Sequence, residues 1–372
     1  MLAYGLSGHD RKQDRGKGGT FDMSKNDRSE NGGTIHIALA FCDPRGTYSR
    51  HAAATMASIF ANTERPVCVH ILHDGTLTAE NRDKLELLAQ NFGQRIAFED
   101  VERRIAESGI DASRLTADGA RGTLFRLLIP DVAAVDRIIY LDCDIIVNRD
   151  IAELWELPLR GRAVGAVRDV WSLNFMKGTP IPWRMALAWD TLGIAHDSYF
   201  NAGVLLLNLK KLREEYDFLR AVEGFYAAYR KCITLADQDC LNYVFAGDAL
   251  LIDERFNRIR TDGVREEELR GSIWHMASSA KPWTTGTRPL VADLYWRYLR
   301  MTPYCESEDA LIRLMLHDLS ASPYTHLHSS GCMRRLSAQM ADNLLRAHIW
   351  TALHLLMKRL WGRRPPRNGR AE

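Results

Sequence analysis

Two carboxylates separated by one residue carry the first chemical signal. Asp142 and Asp144 follow Arg137-Ile138-Ile139-Tyr140-Leu141, a run dominated by apolar and β-branched residues. Such a run is expected to be a central strand covered on both faces. Residues two apart in an extended chain point the same way, so both acids can face one site. Carboxylates forced close repel each other unless a cation lies between them. An oxygen donor pair of this kind suits Mg2+ or Mn2+. The same pair is also compatible with a solvated acidic turn at a strand end.

Other reactive side chains stand at comparable places. Asp43 follows a first apolar run, Ile35 to Phe41, and Asp169 follows another, Ala163 to Val167. Asn201 and Gly203 lead into Val204-Leu205-Leu206-Leu207-Asn208. Asp237 and Gln238 begin an apolar helix. His275 follows a short apolar strand, with Lys281-Pro282-Trp283 just beyond it.

The elements that must position these residues alternate. A strand to Phe41 is followed by a helix from Ser49 to Asn62, a strand from Val67 to Leu72, a helix from Thr78 to Asn91 and a strand from Arg95 to Phe98. Alternation of this kind predicts an α/β fold with a largely parallel sheet, whose ligands bind beyond the carboxyl ends of the strands. Asp43, Asp142 and Asp144 all fall at such ends. Further on, Thr123–Leu128 is expected as a short helix. Asp150-Ile151-Ala152-Glu153 has the form of a capping box. One long amphipathic helix is expected from Lys210 to Tyr229.

Composition narrows the function class. Of 372 residues, 46% are hydrophobic and 26% charged, an ordinary globular balance with chain enough for a sizeable core. The formal net charge of +2 excludes a polycation built for nucleic acid. The seven cysteines (42, 68, 143, 232, 240, 305 and 332) are odd in number and form no C-x-x-C. Neither a disulfide framework nor a zinc ribbon is expected, and a reducing cytosol fits. No run reaches the roughly 20 apolar residues that span a bilayer, and the first residues lack the apolar core of a secretory signal. Residues 1–33, rich in Gly, Asp, Arg, Lys and Ser, are expected as a disordered tail.

Taken together, the stretches 37–48, 123–130, 137–149, 199–212, 237–242 and 275–283 resemble glycosyltransferase family 8, in particular bacterial members that build lipopolysaccharide. They occur in the family's order, and the combination of D-x-D, FNAGVLLLNLKKLR, DQDCLN and H-x5-KPW is specific. The resemblance implies a GT-A-type nucleotide-sugar-binding fold over 34–290. It implies a UDP-hexose donor, Mn2+ with Mg2+ as the alternative, and transfer with retention at the anomeric carbon. It makes Asp142, Asp144 and His275 the metal ligands and sets Lys281 against the departing diphosphate. It ranks Asp43, Arg126, Cys143, Asp169, Asn201, Ala202 and Ser278 among the donor-binding residues. Asp237 and Gln238 match the pair beneath the anomeric carbon, the catalytic candidates. Ser278 stands near where the family usually has a glycine. Only Asp43 remains in a first loop where the family often has two acids. A front-face route is expected over double displacement, because an amide oxygen such as that of Gln238 is a weak nucleophile.

Residues 291–372 read as an extension. Tyr295, Trp296 and Tyr298 form an aromatic patch, and a helix is expected from Leu336 to Trp361, trailed by Arg363, Arg364, Arg367 and Arg370. That helix either docks on the domain or lies on an anionic membrane surface. The expected location is cytoplasmic, peripheral on the inner face of the membrane, beside a glycan or lipid-linked acceptor. Two other functions remain open: a nucleotide-sugar-binding protein without transfer, and a metal-dependent nucleotidyltransferase or phosphohydrolase. A Gly-rich phosphate loop, which the latter commonly uses, is missing.

Overall fold

The computed structural model describes residues 33–107, 121–179, 181–229, 233–259, 264–277, 281–283, 289–305, 307, 310–311 and 314. Ser278 and the expected helix from Leu336 to Trp361 lie outside the described residues. In chain order the elements used below are β1 (Ile35–Ala40), α1 (Ser49–Phe60), β2 (Val67–His73), α2 (Ala79–Asn91), β3 (Arg95–Asp100), β4 (Arg137–Leu141), β5 (Ile145–Asn148), β6 (Val164–Arg168), α3 (Val170–Met176), β7 (Phe200–Asn208), α4 (Leu209–Glu215), α5 (Phe218–Tyr229), α6 (Ala236–Val244), β8 (Ala249–Ile252), β9 (Ser272–His275) and α7 (Pro289–Leu299).

Seven strands form one sheet in the order β3-β2-β1-β4-β7-β6-β8, and β5 pairs with β9 in a second, two-stranded sheet. Within the large sheet only β7 runs against its neighbours, β4 and β6. The expected mostly parallel mixed sheet is therefore present. Its two faces follow from strand alternation. On β1, Ile35, Ile37 and Leu39 enter the core that includes α1, β5, β9 and α7. Ala38 and Ala40 face the opposite core, with Phe125, Val222 of α5 and Cys240 of α6. The alanines of α1 let it lie close against the sheet, and every residue of that helix is buried.

Four expectations change. The 137–147 stretch is not one strand. The Asp142 N–H donates to the Gly203 carbonyl (2.9 Å), opposite the end of the β4–β7 ladder. The chain then turns through Cys143 and Asp144 and leaves the large sheet as β5. The two acids meet across a turn, not by strand alternation. The capping box does not close: Asp150 does accept from the Ala152 N–H (2.9 Å), but Glu153 pairs with Arg149 instead of reaching back. The boundary expected after residue 290 falls inside α7, whose Val291, Leu294, Tyr295, Tyr298 and Leu299 are buried in the α1 core.

The long helix from Lys210 breaks at Tyr216, which is extended (φ −117°, ψ 136°). Its hydroxyl donates to Asp248 Oδ2 at 2.5 Å, and Lys211 Nζ lies 2.9 Å from the same oxygen. This tether outweighs helical periodicity. Burial raises the Asp248 carboxyl, but the bonds from Tyr216 and Lys211 more than reverse it, leaving it below the usual range. A depressed carboxylate stabilises above its unfolded value, about 3.9, and loses that contribution as pH falls through the folded value. Asp248→Asn should cost about 1 kcal/mol at neutral pH. In thermal melts its deficit against wild type should shrink below about pH 4; a deficit independent of pH would contradict the tether.

Candidate active site

β4, β6 and the entry of β7 end around one cleft of about 620 Å³. Its lining includes Arg126, Asp142, Asp144, Asp169, Asn201, Ala202, Asp237, Gln238 and His275. Nine sequence-predicted residues thus meet at the carboxyl ends of parallel strands, where α/β sheets place ligands.

The acid pair is built by three constraints. Antiparallel pairing of β5 with β9 sets Ile145 against His275, and the Met276 N–H donates to the Asp144 carbonyl (3.0 Å). Thr55 Oγ1 of α1 lies 2.8 Å from the Ile145 carbonyl and 3.1 Å from that of Cys143, fastening the turn from behind. Lys281 Nζ bonds Asp144 Oδ2 and the Met276 carbonyl, while Trp283 stacks on His51 of α1 at 3.7 Å. Asp142, Asp144 and His275 thereby each bring a ligand atom within 4.8 Å of the others. His275 Nε2 is 3.3 Å from Asp144 Oδ1 and 3.6 Å from Asp142 Oδ2.

The donor set fits a divalent cation for a reason visible in the hydrogen bonds. Asn201 Nδ2 donates to the Asp169 carboxylate (3.1 Å), and its Oδ1 accepts from the Gly203 N–H (2.9 Å). Its orientation is therefore fixed. Asn257 Nδ2 donates to that same Oδ1 (2.8 Å), so Asn257 Oδ1 faces His275 Nδ1 at 2.9 Å. Nδ1 then carries the proton and Nε2 turns a lone pair toward two carboxylates. Asp144 Oδ1 is buried and takes no hydrogen bond among the described residues. A lone pair and an orphaned carboxylate oxygen facing each other are costly without a cation between them. Burial alone would raise the Asp144 carboxyl, but the Lys281 ammonium beside it holds it well below the usual range, so it is available as an anion.

Asn257 was not legible in sequence, since a lone Asn after Phe256 has no local signature. As the partner that orients His275, its change to Ala is expected to weaken metal binding about 10- to 100-fold. Unchanged affinity in a metal titration would rule out that role.

Arg126 is buried beneath the cleft. Its guanidinium reaches Asp142 Oδ1 (2.7 Å), Asp237 Oδ2 (2.9 Å) and the Ala202 carbonyl (2.6 Å), over the Tyr140 ring at 4.5 Å. Burial would lower its pKa, but Asp142 and Asp237 reverse this and raise it. Burial pushes the Asp237 carboxyl up, aided by Asp142 and opposed by Arg126. Gln238 Oε1 accepts from the Ala202 N–H (3.0 Å) and Asn201 Nδ2 (3.1 Å), and its Nε2 donates to Asp169 (3.3 Å). Asp169 also caps α3 through the Trp171 N–H (2.9 Å).

Three predicted residues among those described stand apart from the cleft lining: Lys281, which reaches it through Asp144, and Asp43 and Cys143. Asp43 is 1% exposed, and its carboxylate accepts from the N–H groups of Tyr48 (2.7 Å) and Ser49 (3.1 Å) and from Asn81 (3.0 Å). It ties the first loop to the start of α1. Cys143 turns its thiol into the core toward the Ala40 carbonyl (3.8 Å), and burial pushes that thiol up, so only its backbone faces the turn. Gly203, legible in sequence only as an entry to the strand, is decisive at the site: a Cβ there would sit 2.2 Å from His275 Cε1 and 2.9 Å from Asp142 Oδ2.

A mixed sheet with one reversed strand and an acid–imidazole cleft at its carboxyl edge defines the GT-A class of glycosyltransferase folds. The chain belongs to glycosyl transferase family 8, whose family model matches residues 37–287. It is similar to general stress protein A of Bacillus subtilis, at 26% identity over 73% of this chain and 94% of the relative. It is also similar to lipopolysaccharide 1,3-galactosyltransferase of Salmonella typhimurium, at 25% identity over 60% of this chain and 66% of the relative. Among solved structures, the galactosyltransferase LgtC in complex with donor and acceptor sugar analogs superposes with a TM-score of 0.56 at 25% identity, covering 72% of this chain and 95% of that one. The protein is a glycosyltransferase of the hexosyltransferase kind. No helix among the described residues is long and apolar enough to cross a membrane.

Proposed function

We propose that this protein moves a hexose from a UDP-hexose to a glycan or lipid-linked glycan acceptor of the surface-polysaccharide type, with retention and with Mn2+ as its metal. The observation that carries this reading is the meeting of Asp142, Asp144 and His275, with an orphaned carboxylate oxygen and an imidazole lone pair aimed at one point. Asp142, Asp144 and His275 would hold the ion; two acids and an imidazole suit Mn2+, which would neutralise charge on the departing diphosphate.

The chain's own groups do the rest. Lys281, beside Asp144, adds positive charge on the leaving-group side. Asp169 and Asn201 offer polar atoms to the hydroxyls of the transferred sugar. Arg126 holds Asp142 and Asp237 in place. Neither catalytic candidate suits a covalent role: the Gln238 amide oxygen already accepts two hydrogen bonds, and the Asp237 carboxylate is engaged by Arg126. That favours front-face attack, in which the leaving phosphate oxygen takes the acceptor's proton. The basic segment after residue 362 is proposed to draw the enzyme to an anionic membrane surface on its cytoplasmic side.

A panel of UDP-sugars with and without Mn2+ tests the reading. One UDP-hexose should release UDP slowly to water and faster with acceptor, with retained anomeric configuration in the product. Asp144→Asn should lose this Mn2+-dependent release by at least about 100-fold. Release from every donor that ignores Mn2+, or binding with no release, would refute it.

A further inference from the structure

A second cluster of ligand-type side chains lies away from the cleft and is used by nothing described above. His36 of β1 and Cys68 of β2 are register partners, and His70 lies two residues further along β2. Strand alternation therefore turns all three to one face. That face is opposite Ile35, Ile37, Val67 and Val69, which pack toward α1. The cluster sits near the amino end of β1, whereas the cleft opens at the carboxyl ends of the strands.

One ligand atom from each of His36, Cys68 and His70 lies within 4.8 Å of the others. His36 Nδ1 and His70 Nε2 face each other at 3.0 Å. Behind His70, Glu99 Oε1 of β3 lies 3.3 Å from Nδ1. A carboxylate only accepts, so Nδ1 carries a proton, and Nε2 is the nitrogen turned inward to His36 and Cys68. A carboxylate behind an imidazole whose other nitrogen points at a convergence of donors is the arrangement that orients histidine ligands in metal sites. His70 and Cys68 are 7% and 9% exposed and His36 is half-buried, so the cluster is largely withdrawn from solvent. Arg95, the register partner of Cys68 on β3, directs its guanidinium to Thr34 Oγ1 at 2.7 Å, and the Trp155 ring flanks His36 at 6.3 Å.

We propose that His36, Cys68 and His70 form a second metal site, for Zn2+, with Glu99 orienting His70. One thiolate and two imidazoles match a borderline-soft ion and not Mn2+ or Mg2+, so this donor set and the oxygen-rich one in the cleft select different ions. On binding, one proton leaves the Cys68–His70 pair to solvent, so that a thiolate and a neutral imidazole ligate. His36 stays neutral by carrying its proton on Nε2 instead of Nδ1, which frees Nδ1 to ligate. Water or a small exogenous ligand takes the remaining tetrahedral position. The ion fastens β1 to β2, and through Glu99 to β3, at the end of the sheet remote from the chemistry.

Co2+ reports this site in the reduced full-length protein. A thiolate-to-cobalt charge-transfer band is expected, saturating at a single equivalent and displaced by Zn2+. Asp142, Asp144 and His275 supply no thiolate, so ions in the cleft do not contribute to that band. Cys68→Ser should abolish it, and Glu99→Gln should weaken Co2+ binding about 10- to 100-fold. Zn2+ should raise the melting temperature of the wild type more than that of Cys68→Ser. His36→Gln provides a second ligand variant should Cys68→Ser fold poorly. A wild type without the band, or a band that survives loss of Cys68 or His36, overturns the proposal. Neither result depends on sugar transfer, so the site and the proposed activity stand or fall separately.

Discussion

Gly203→Ala is expected to abolish metal-dependent turnover while leaving the protein folded. The new methyl carbon would lie 2.2 Å from His275 Cε1, 2.7 Å from its Nδ1 and 2.9 Å from Asp142 Oδ2. No real Cβ sits that close, so something must move. The imidazole cannot swing freely, because it is 3% exposed and held by Asn257. Asp142 is held in turn by Tyr140 (2.6 Å) and Arg126. The displaced group is therefore one of the candidate metal ligands. A shift of about 1 Å in such a constellation costs on the order of 100-fold in rate. The strand itself should survive, since Gly203 lies on β7 without a positive φ. The measurement is a Mn2+ titration of donor turnover beside a circular dichroism melt. A variant with the wild-type metal response would show that the close approach is incidental.

Arg126→Met should be the most destabilising single change at the site. Arg126 is the charge between two buried or half-buried acids, Asp142 and Asp237, and its N–H groups also reach the Ala202 and Thr123 carbonyls. Removing one member of a buried pair costs about 3–5 kcal/mol, because the remaining charge stays buried without its partner. Arg126→Lys should recover little, since an ammonium cannot span both carboxylates and a carbonyl in one plane. Adding Asp237→Asn to Arg126→Met should restore part of the lost stability, because the orphaned anion is then gone. Urea unfolding of the two single variants and the double variant measures that coupling. Strict additivity would mean that the ion pair contributes nothing to the fold.

The sequence by itself determined which residue types the site would use and most of the elements that carry them. The apolar run before Asp142, the run from Phe200 to Asn208 and the early strand–helix alternation are local patterns, and local patterns report the face a residue takes within its own element. The family resemblance added Arg126 and implied roles for Asp169, Asn201, Asp237 and Gln238, each of which lines the cleft. Tertiary structure alone decided how these groups meet. Pairing of β5 with β9 carries His275 to Asp144 across most of the domain, and no local periodicity encodes that register. The break at Tyr216 depends on Asp248, a partner from another element. Gly203 matters only because His275 and Asp142 close over it, and Asn257 only because Asn201 fixes which way its amide points. His36, Cys68 and His70 became a site only when β1 and β2 paired in register. Spacing along one strand limits direction; contact between distant strands is set by packing the whole sheet, where the loss of chain entropy is offset by burial shared among all its elements.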